Sequence, residues 1–294
     1  MSVSPRIAVV GPGAIGTTVA AALHEAGRTP LLCGRTTREG LELDGPTGRI
    51  AVPGPVRTDP ASVDGPLDLV FLAVKATQVP AAAPWLTSLC GPDTVVCVLQ
   101  NGVEQEEIVS ARVAARAVVP SVVWFPAQAQ PDGSVWLRAE ARLTLPGLPA
   151  ARPIGEALHG SLCSIELAAD FTSLAWRKLL QNAAAGLMAL TGRRAGMYRR
   201  ADVGALTLAY LRECLAVARA EGARLGDEVP QEILDGFRAM PADLGTSILA
   251  DREAGRPLEW DIRNGVIARK GRARGIPTPI SEIVVPLLAA TSDG

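Results

Sequence analysis

Short runs of Val, Leu and Ile, each followed by a stretch with helical spacing, organise the first half of the chain. Arg6–Val10 reads as a buried strand ending at Gly11, and Thr17–Ala26 as a helix stopped at Gly27. Pro30–Cys33 follows as a second strand, and Leu67–Val74 (LDLVFLAV), Thr94–Leu99 and Ala117–Val123 as further ones. Continuous apolar runs of this length, rather than alternating ones, predict strands covered on both faces, as in a parallel sheet flanked by helices. Between the second and third strands lies a Gly- and Pro-rich insertion in which Ile50–Val52 and Val56 form short strands. Ala127–Leu145 reads as an antiparallel extension of the sheet.

From about Phe171 the strand signals fade and a period near 3.6 takes over. Helices are predicted over Phe171–Leu190, Ala201–Leu225, Pro230–Met240, Leu244–Glu253 and Leu258–Arg274, with a last one after Pro279. In the second of these, Leu206, Tyr210, Leu211, Cys214, Leu215 and Ala218 mark the expected core face. The fold class is therefore an α/β Rossmann domain with a mostly parallel, doubly wound sheet, followed by an all-α C-terminal domain. The boundary falls near residue 168, giving a dinucleotide-binding half, residues 1–168, and a helical half, residues 169–294.

Composition narrows the classes of function. Of 294 residues 48% are hydrophobic, enough for two cores. Lys+Arg 29 against Asp+Glu 30 leaves a net charge of −1, so neither nucleic acid nor an anionic membrane is expected as a partner. No apolar stretch spans a membrane without Gly, Pro or charge, and Met1–Arg6 lacks the pattern of a secretory leader. The five cysteines are scattered and the only histidines are His24 and His159, so no metal site is expected and a reducing cytoplasm fits best.

The first strand is followed at once by Gly11-Pro12-Gly13-Ala14-Ile15-Gly16 and then a helix. In that context the first glycine permits the turn, the second lets a pyrophosphate approach the backbone, and the third lets helix and strand pack. A helix N-terminus then offers free N–H groups to phosphate. The second strand ends without the acidic residue that holds an NAD ribose; Arg35, with Arg38 nearby, stands there instead. A guanidinium suits the extra phosphate of NADP, the alternative being a solvated loop arginine. At the ends of later strands come Lys75 and Gln100-Asn101-Gly102. The helical half adds two pairs at i, i+4 spacing, Lys178 with Asn182 and Ser247 with Asp251, and then Glu259-Trp260-Asp261-Ile262-Arg263-Asn264-Gly265. Hydride reduction of a ketone needs a proton donor and polar groups that hold the substrate, and these residue types can supply both.

In this order and spacing the motifs resemble the ketopantoate reductase family over nearly the whole chain: GPGAIG, Val74-Lys75, Q-N-G, W-R-K-L-x-x-N at Trp176–Asn182, S-x-x-x-D, E-x-D-x-x-N-G, and Gly275-Ile-Pro-Thr-Pro279. The resemblance implies NADP(H) as cofactor and reduction of a 2-keto acid, with ketopantoate leading and pantothenate biosynthesis as the setting. It makes Lys178 the catalytic lysine that protonates the nascent alkoxide and Glu259 the acid supporting it and the cofactor-side network. Asn182, Ser247 and Asp251 would hold the substrate, and Asn101 would lie between nicotinamide ribose and substrate. Lys75 would lie near the cofactor and Arg35 would bind the 2′-phosphate, with the site in the cleft between two domains.

One departure stands out. The family carries a second asparagine one turn beyond Asn182, where this chain has Gly186. That predicts room for a bulkier ligand and opens two alternatives: a related NADP-dependent enzyme acting on another carbonyl or imine, and a non-catalytic NADP-binding sensor. The long apolar-faced helices are compatible with a homodimer.

Overall fold

Alternation of apolar strand and helix produces, in the computed structural model, a parallel sheet whose three central strands are buried from end to end. Residues 5–293 are described; Met1–Ser4, part of the stretch read for a leader, and Gly294 lie outside them. In the first half the chain runs β1 (Ile7–Val10), α1 (Ala14–Glu25), β2 (Leu31–Cys33), β3 (Gly40–Gly45), β4 (Gly48–Pro53), β5 (Leu69–Leu72), α2 (Val79–Leu89), β6 (Val95–Val98), α3 (Gln105–Ser110) and β7 (Ala117–Pro120). Next come β8 (Val122–Val123), β9 (Ala127–Ala129), β10 (Val135–Leu137), β11 (Ala141–Pro146), α4 (Arg152–Leu158) and β12 (Cys163–Ala168). The main sheet has the order β2-β1-β5-β6-β7, with every neighbouring pair parallel. Connection order reverses at β1/β5, so the carboxyl ends of these two strands form the position where doubly wound sheets bind ligands.

The later strands do not extend this sheet as the sequence suggested. β9 and β10 join the β3–β4 hairpin in a separate sheet of order β4-β3-β10-β9, and β11 lies between β8 and β12 in a third. The run read as one strand splits at Ser121, between β7 and β8, where the buried hydroxyl donates to Val98 O at 2.7 Å.

The second half is helical: α5 (Phe171–Thr191), α6 (Ala201–Ala220), α7 (Val229–Ala239), α8 (Ser247–Glu253), α9 (Val266–Arg274) and α10 (Pro279–Asp293), with one turn of π-helix over Asp261–Gly265 leading into α9. Its core gathers Trp176, Leu180, Met188, Tyr198, Tyr210, Leu211, Ile248 and Val266. On α6 the buried face is Thr207, Tyr210, Leu211, Cys214, Leu215 and Ala218, while Leu206 is 49% exposed, against expectation. Thr207 takes the buried position beside it, its hydroxyl donating to Val203 O.

Two units emerge. One comprises the chain up to Gln100 together with Glu104–Phe171; the other comprises Asn101–Val103 together with the chain from Thr172. The three-residue excursion at Asn101 is not signalled by the change in composition near residue 168.

Candidate active site

In the first unit the glycine motif closes the end of β1. Gly11 has φ +91, and a Cβ there would lie 2.6 Å from Val74 Cγ1, so the loop rests directly on the end of β5. A Cβ on Gly16 would fall 2.2 Å from Gly11 O, which fixes glycine where α1 meets the loop. Gly13 differs: a Cβ there would meet nothing within 4 Å, so packing within the protein does not demand glycine at this position. A cradle with open space over Gly13, at the N-terminus of α1, fits a dinucleotide pyrophosphate. Pro12, Ala14 and Ile15 complete the loop, and Thr17 Oγ1 donates to Pro12 O at 3.3 Å.

Gly11 N–H donates to Cys33 O at the end of β2, bringing the two strand ends side by side. A Cβ on Gly34 would come within 3.0 Å of Pro12 Cδ. The chain therefore leaves β2 against the loop, with Arg35 the next residue and exposed. Arg57, which the sequence did not single out, pairs its backbone with Gly34 and Leu32 and so lies beside the same strand end. Arg57 joins this edge only once the segment after β4 is folded back. Lys75 is half-buried just past β5, and its backbone N–H donates to Gln78 Oε1 at 3.3 Å. Gln100 is scaffold: its amide donates to Val74 O at 2.8 Å and its carbonyl accepts from Gln105 Nε2 at 3.0 Å.

In the second unit Asn101, Asn182, Ser247 and Glu259 come together. Asn101 Nδ2 donates to Glu259 Oε2 at 3.1 Å, and Asn182 Nδ2 donates to Asn101 Oδ1 at 3.2 Å. Glu259 and Asn182 are buried, whereas Ser247, the first residue of α8, is exposed. Gly102 allows this approach with φ +108, packing against Ile262. Lys178 lies one turn before Asn182 on α5 and is partly buried. Burial, and secondarily the neighbouring charge of Arg263, lower its pKa to about 8.

Arg263 is the residue that sequence reasoning missed. It is 3% exposed, donates through Nη2 to Asn182 Oδ1 at 2.8 Å, and through Nη1 to Ser247 Oγ at 3.3 Å. Burial pulls its pKa below the usual guanidinium range, while Glu259 and Asp251 hold it up. The available signal was an arginine four residues after Glu259, a spacing that puts both on one helix face. Asp251 is buried and accepts from Arg256 Nε at 2.9 Å, so its carboxylate anchors the chain after α8 as well as facing Arg263.

The expectation that Gly186 leaves space for a larger ligand is wrong. A Cβ at Gly186 would stand 2.6 Å from Asn264 Nδ2 and 2.8 Å from its Oδ1. Asn264, fully buried, donates to Ala183 O and to Tyr210 Oη, both at 3.0 Å. The glycine makes way for this carboxamide, not for substrate.

Comparison with known proteins agrees with the geometry. The sequence profile described as "Ketopantoate reductase PanE/ApbA" matches residues 7–150, and that described as "Ketopantoate reductase PanE/ApbA C terminal" matches residues 170–292. A 2-dehydropantoate 2-reductase of Mycobacterium tuberculosis is 60% identical over 290 residues, covering 98% of this chain and 98% of that one. Among solved structures, a PanE/ApbA family ketopantoate reductase from Ralstonia eutropha JMP134 superposes with a TM-score of 0.89 at 29% identity, covering 98% of both chains. A dimeric ketopantoate reductase from Staphylococcus aureus gives 0.88 at 25% identity, covering 98% of this chain and 99% of that one.

Proposed function

This chain belongs to the ketopantoate reductase family, and from that premise we propose that it reduces ketopantoate to pantoate with NADPH. The observation that carries the reading is the linked set Asn101, Asn182 and Glu259 beside a lysine of lowered pKa. When bound, NADPH supplies the hydride for the keto carbon; Gly11, Gly13 and Gly16 would hold its pyrophosphate, Arg35 its 2′-phosphate, and Lys75 would lie near it.

Lys178 gives its proton to the oxygen that becomes the hydroxyl and is reprotonated from solvent. A pKa of about 8 keeps it mostly charged at neutral pH, yet able to release the proton. Glu259 holds Asn101, and Asn101 in turn holds Asn182, so the groups that meet the keto acid are fixed before it arrives. Ser247 adds a hydroxyl, and Asp251 offsets the buried charge of Arg263. A sensor would need the cofactor cradle but no partly buried lysine one turn from Asn182.

The test is direct: protein, NADPH and ketopantoate are mixed and the nicotinamide absorbance is followed. Steady loss with ketopantoate, and less with other 2-keto acids, is expected. Absence of turnover would sink the assignment. As for setting, no helix among the described residues is long and apolar enough to cross a membrane, and all five cysteines are free. A cytoplasmic location, where NADPH and a reducing environment coincide, suits both. A homodimer is the assembly we expect: the Staphylococcus aureus relative is dimeric, and Ile283 and Leu287, 64% and 49% exposed, share a face of α10.

A further inference from the structure

The hydrogen bonds of the helical unit form a chain whose two ends are chemically opposite. At one end stands Arg263, which can only donate; at the other stands the Glu259 carboxylate, which accepts. Between them lie two carboxamides that could each point either way. Arg263 Nη2 donates to Asn182 Oδ1 at 2.8 Å, so the amide nitrogen of Asn182 must face Asn101. Asn182 Nδ2 then donates to Asn101 Oδ1 at 3.2 Å, and Asn101 Nδ2 donates to Glu259 Oε2 at 3.1 Å. Flipping either amide would set two donors or two acceptors face to face.

This polarity decides what a ligand meets. The carbonyl oxygens of Asn182 and Asn101 are engaged within the chain. Each amide nitrogen keeps its second N–H, and Ser247 Oγ, which accepts from Arg263 Nη1 at 3.3 Å, keeps its own proton to give. Each of these oxygens is thus turned toward a donor inside the chain, which leaves the second N–H of each amide and the Ser247 proton to be given outward. A 2-keto carboxylate presents acceptors alone at its reacting end.

We propose that Arg263 is a positioning and specificity-determining residue, which orients Asn182, Asn101 and Ser247 so that they present donors, matched to a 2-keto carboxylate. The proposal rests on the keto acid reduction described above. The charges facing Arg263 are Glu259, four residues before it, Asp251 on α8 and Lys178 on α5; Asp251 is shared with Arg256. Arg263 Nε has no hydrogen-bond partner although buried, so the guanidinium is held by its two terminal nitrogens, in the fork geometry that lysine cannot reproduce.

The experiment compares kcat/KM for ketopantoate and for its uncharged primary amide in the wild type, Arg263→Lys and Arg263→Met. Wild-type turnover of ketopantoate with NADPH tests the underlying function by itself; the ratio of acid to amide across the variants tests the role of Arg263. Arg263→Met should lose roughly 10–100-fold on the acid, as expected for charge-assisted hydrogen bonds, and its acid-to-amide ratio should fall about tenfold. The alkaline limb of its kcat profile should also move to higher pH, since a positive neighbour of Lys178 is gone. Arg263→Lys keeps the charge but not the fork, so its limb should stay in place while the ratio falls at least several-fold. Circular dichroism establishes folding, and if Arg263→Met does not fold, Arg263→Lys alone decides. A ratio within twofold of wild type in the folded variants, with both substrates losing equally, would overturn the proposal in favour of a purely structural arginine.

Discussion

Lys178 shows how far a single residue can be read from sequence. Its spacing from Asn182 placed both on one face of a helix, and α5 carries both. Its acidity could not be read, because burial and neighbouring charge were unknown. The structure supplies burial first and Arg263 second, and both act in the same direction. Lysine must be protonated to act as the donor, so kcat should hold below about 8 and fall roughly tenfold per pH unit above it. A profile flat to pH 10 would contradict this role. Lys178→Ala should cut kcat by about 10²–10⁴, the usual worth of a positioned acid, while NADPH binding followed by nicotinamide fluorescence stays within a few-fold. Arg263 escaped because a charged residue among other polar ones gives no hint of its partners until α5 and α8 are brought to it.

At the scale of elements, helices with strong period-3.6 patterns were legible to within a few residues, whereas strand partnership was not. The run Ala117–Val123 carries the composition of one strand, yet it splits at Ser121 and its end joins another sheet. Gly186 was misread for a similar reason: the loss of a side chain on α5 is visible in sequence, but the carboxamide of Asn264 that takes its place is not. Gly186→Ala should therefore overpack the contact between α5 and the π-turn, at a cost of roughly 1–3 kcal/mol, and lower Tm by several degrees. An unchanged melting curve would show that Asn264 moves aside freely. Glu213 offers a second test. From α6 it accepts from the backbone N–H groups of Ile280 and Ser281, at 2.8 and 2.9 Å, and so caps the first turn of α10. Glu213→Ala should destabilise by about 1–2 kcal/mol, the scale of a lost N-cap, with kcat of the folded enzyme retained.

For the whole molecule, the division into an α/β half and a helical half was legible because buried parallel strands and amphipathic helices leave different sequence periods. Arg35, proposed to bind the cofactor, and Lys178, the proposed proton donor, fall in different units, so their effects should be separable. Arg35→Ala should raise KM for NADPH about 10–100-fold with little change for NADH, and an unaltered preference would remove Arg35 from the phosphate site. The double variant of Arg35 and Lys178 should therefore lose kcat/KM by the product of the single losses. The excursion Asn101–Val103 has a broader consequence. A fragment beginning at residue 169 would inherit Lys178, Asn182 and Glu259 but not Asn101, leaving Glu259 and Asn182 each short of a partner. Cutting at the composition boundary should therefore leave the helical half without its full hydrogen-bonded set. Any chimaera that swaps nucleotide-binding modules must carry this tripeptide with the helices, or it will exchange cofactor preference at the expense of the centre that uses it.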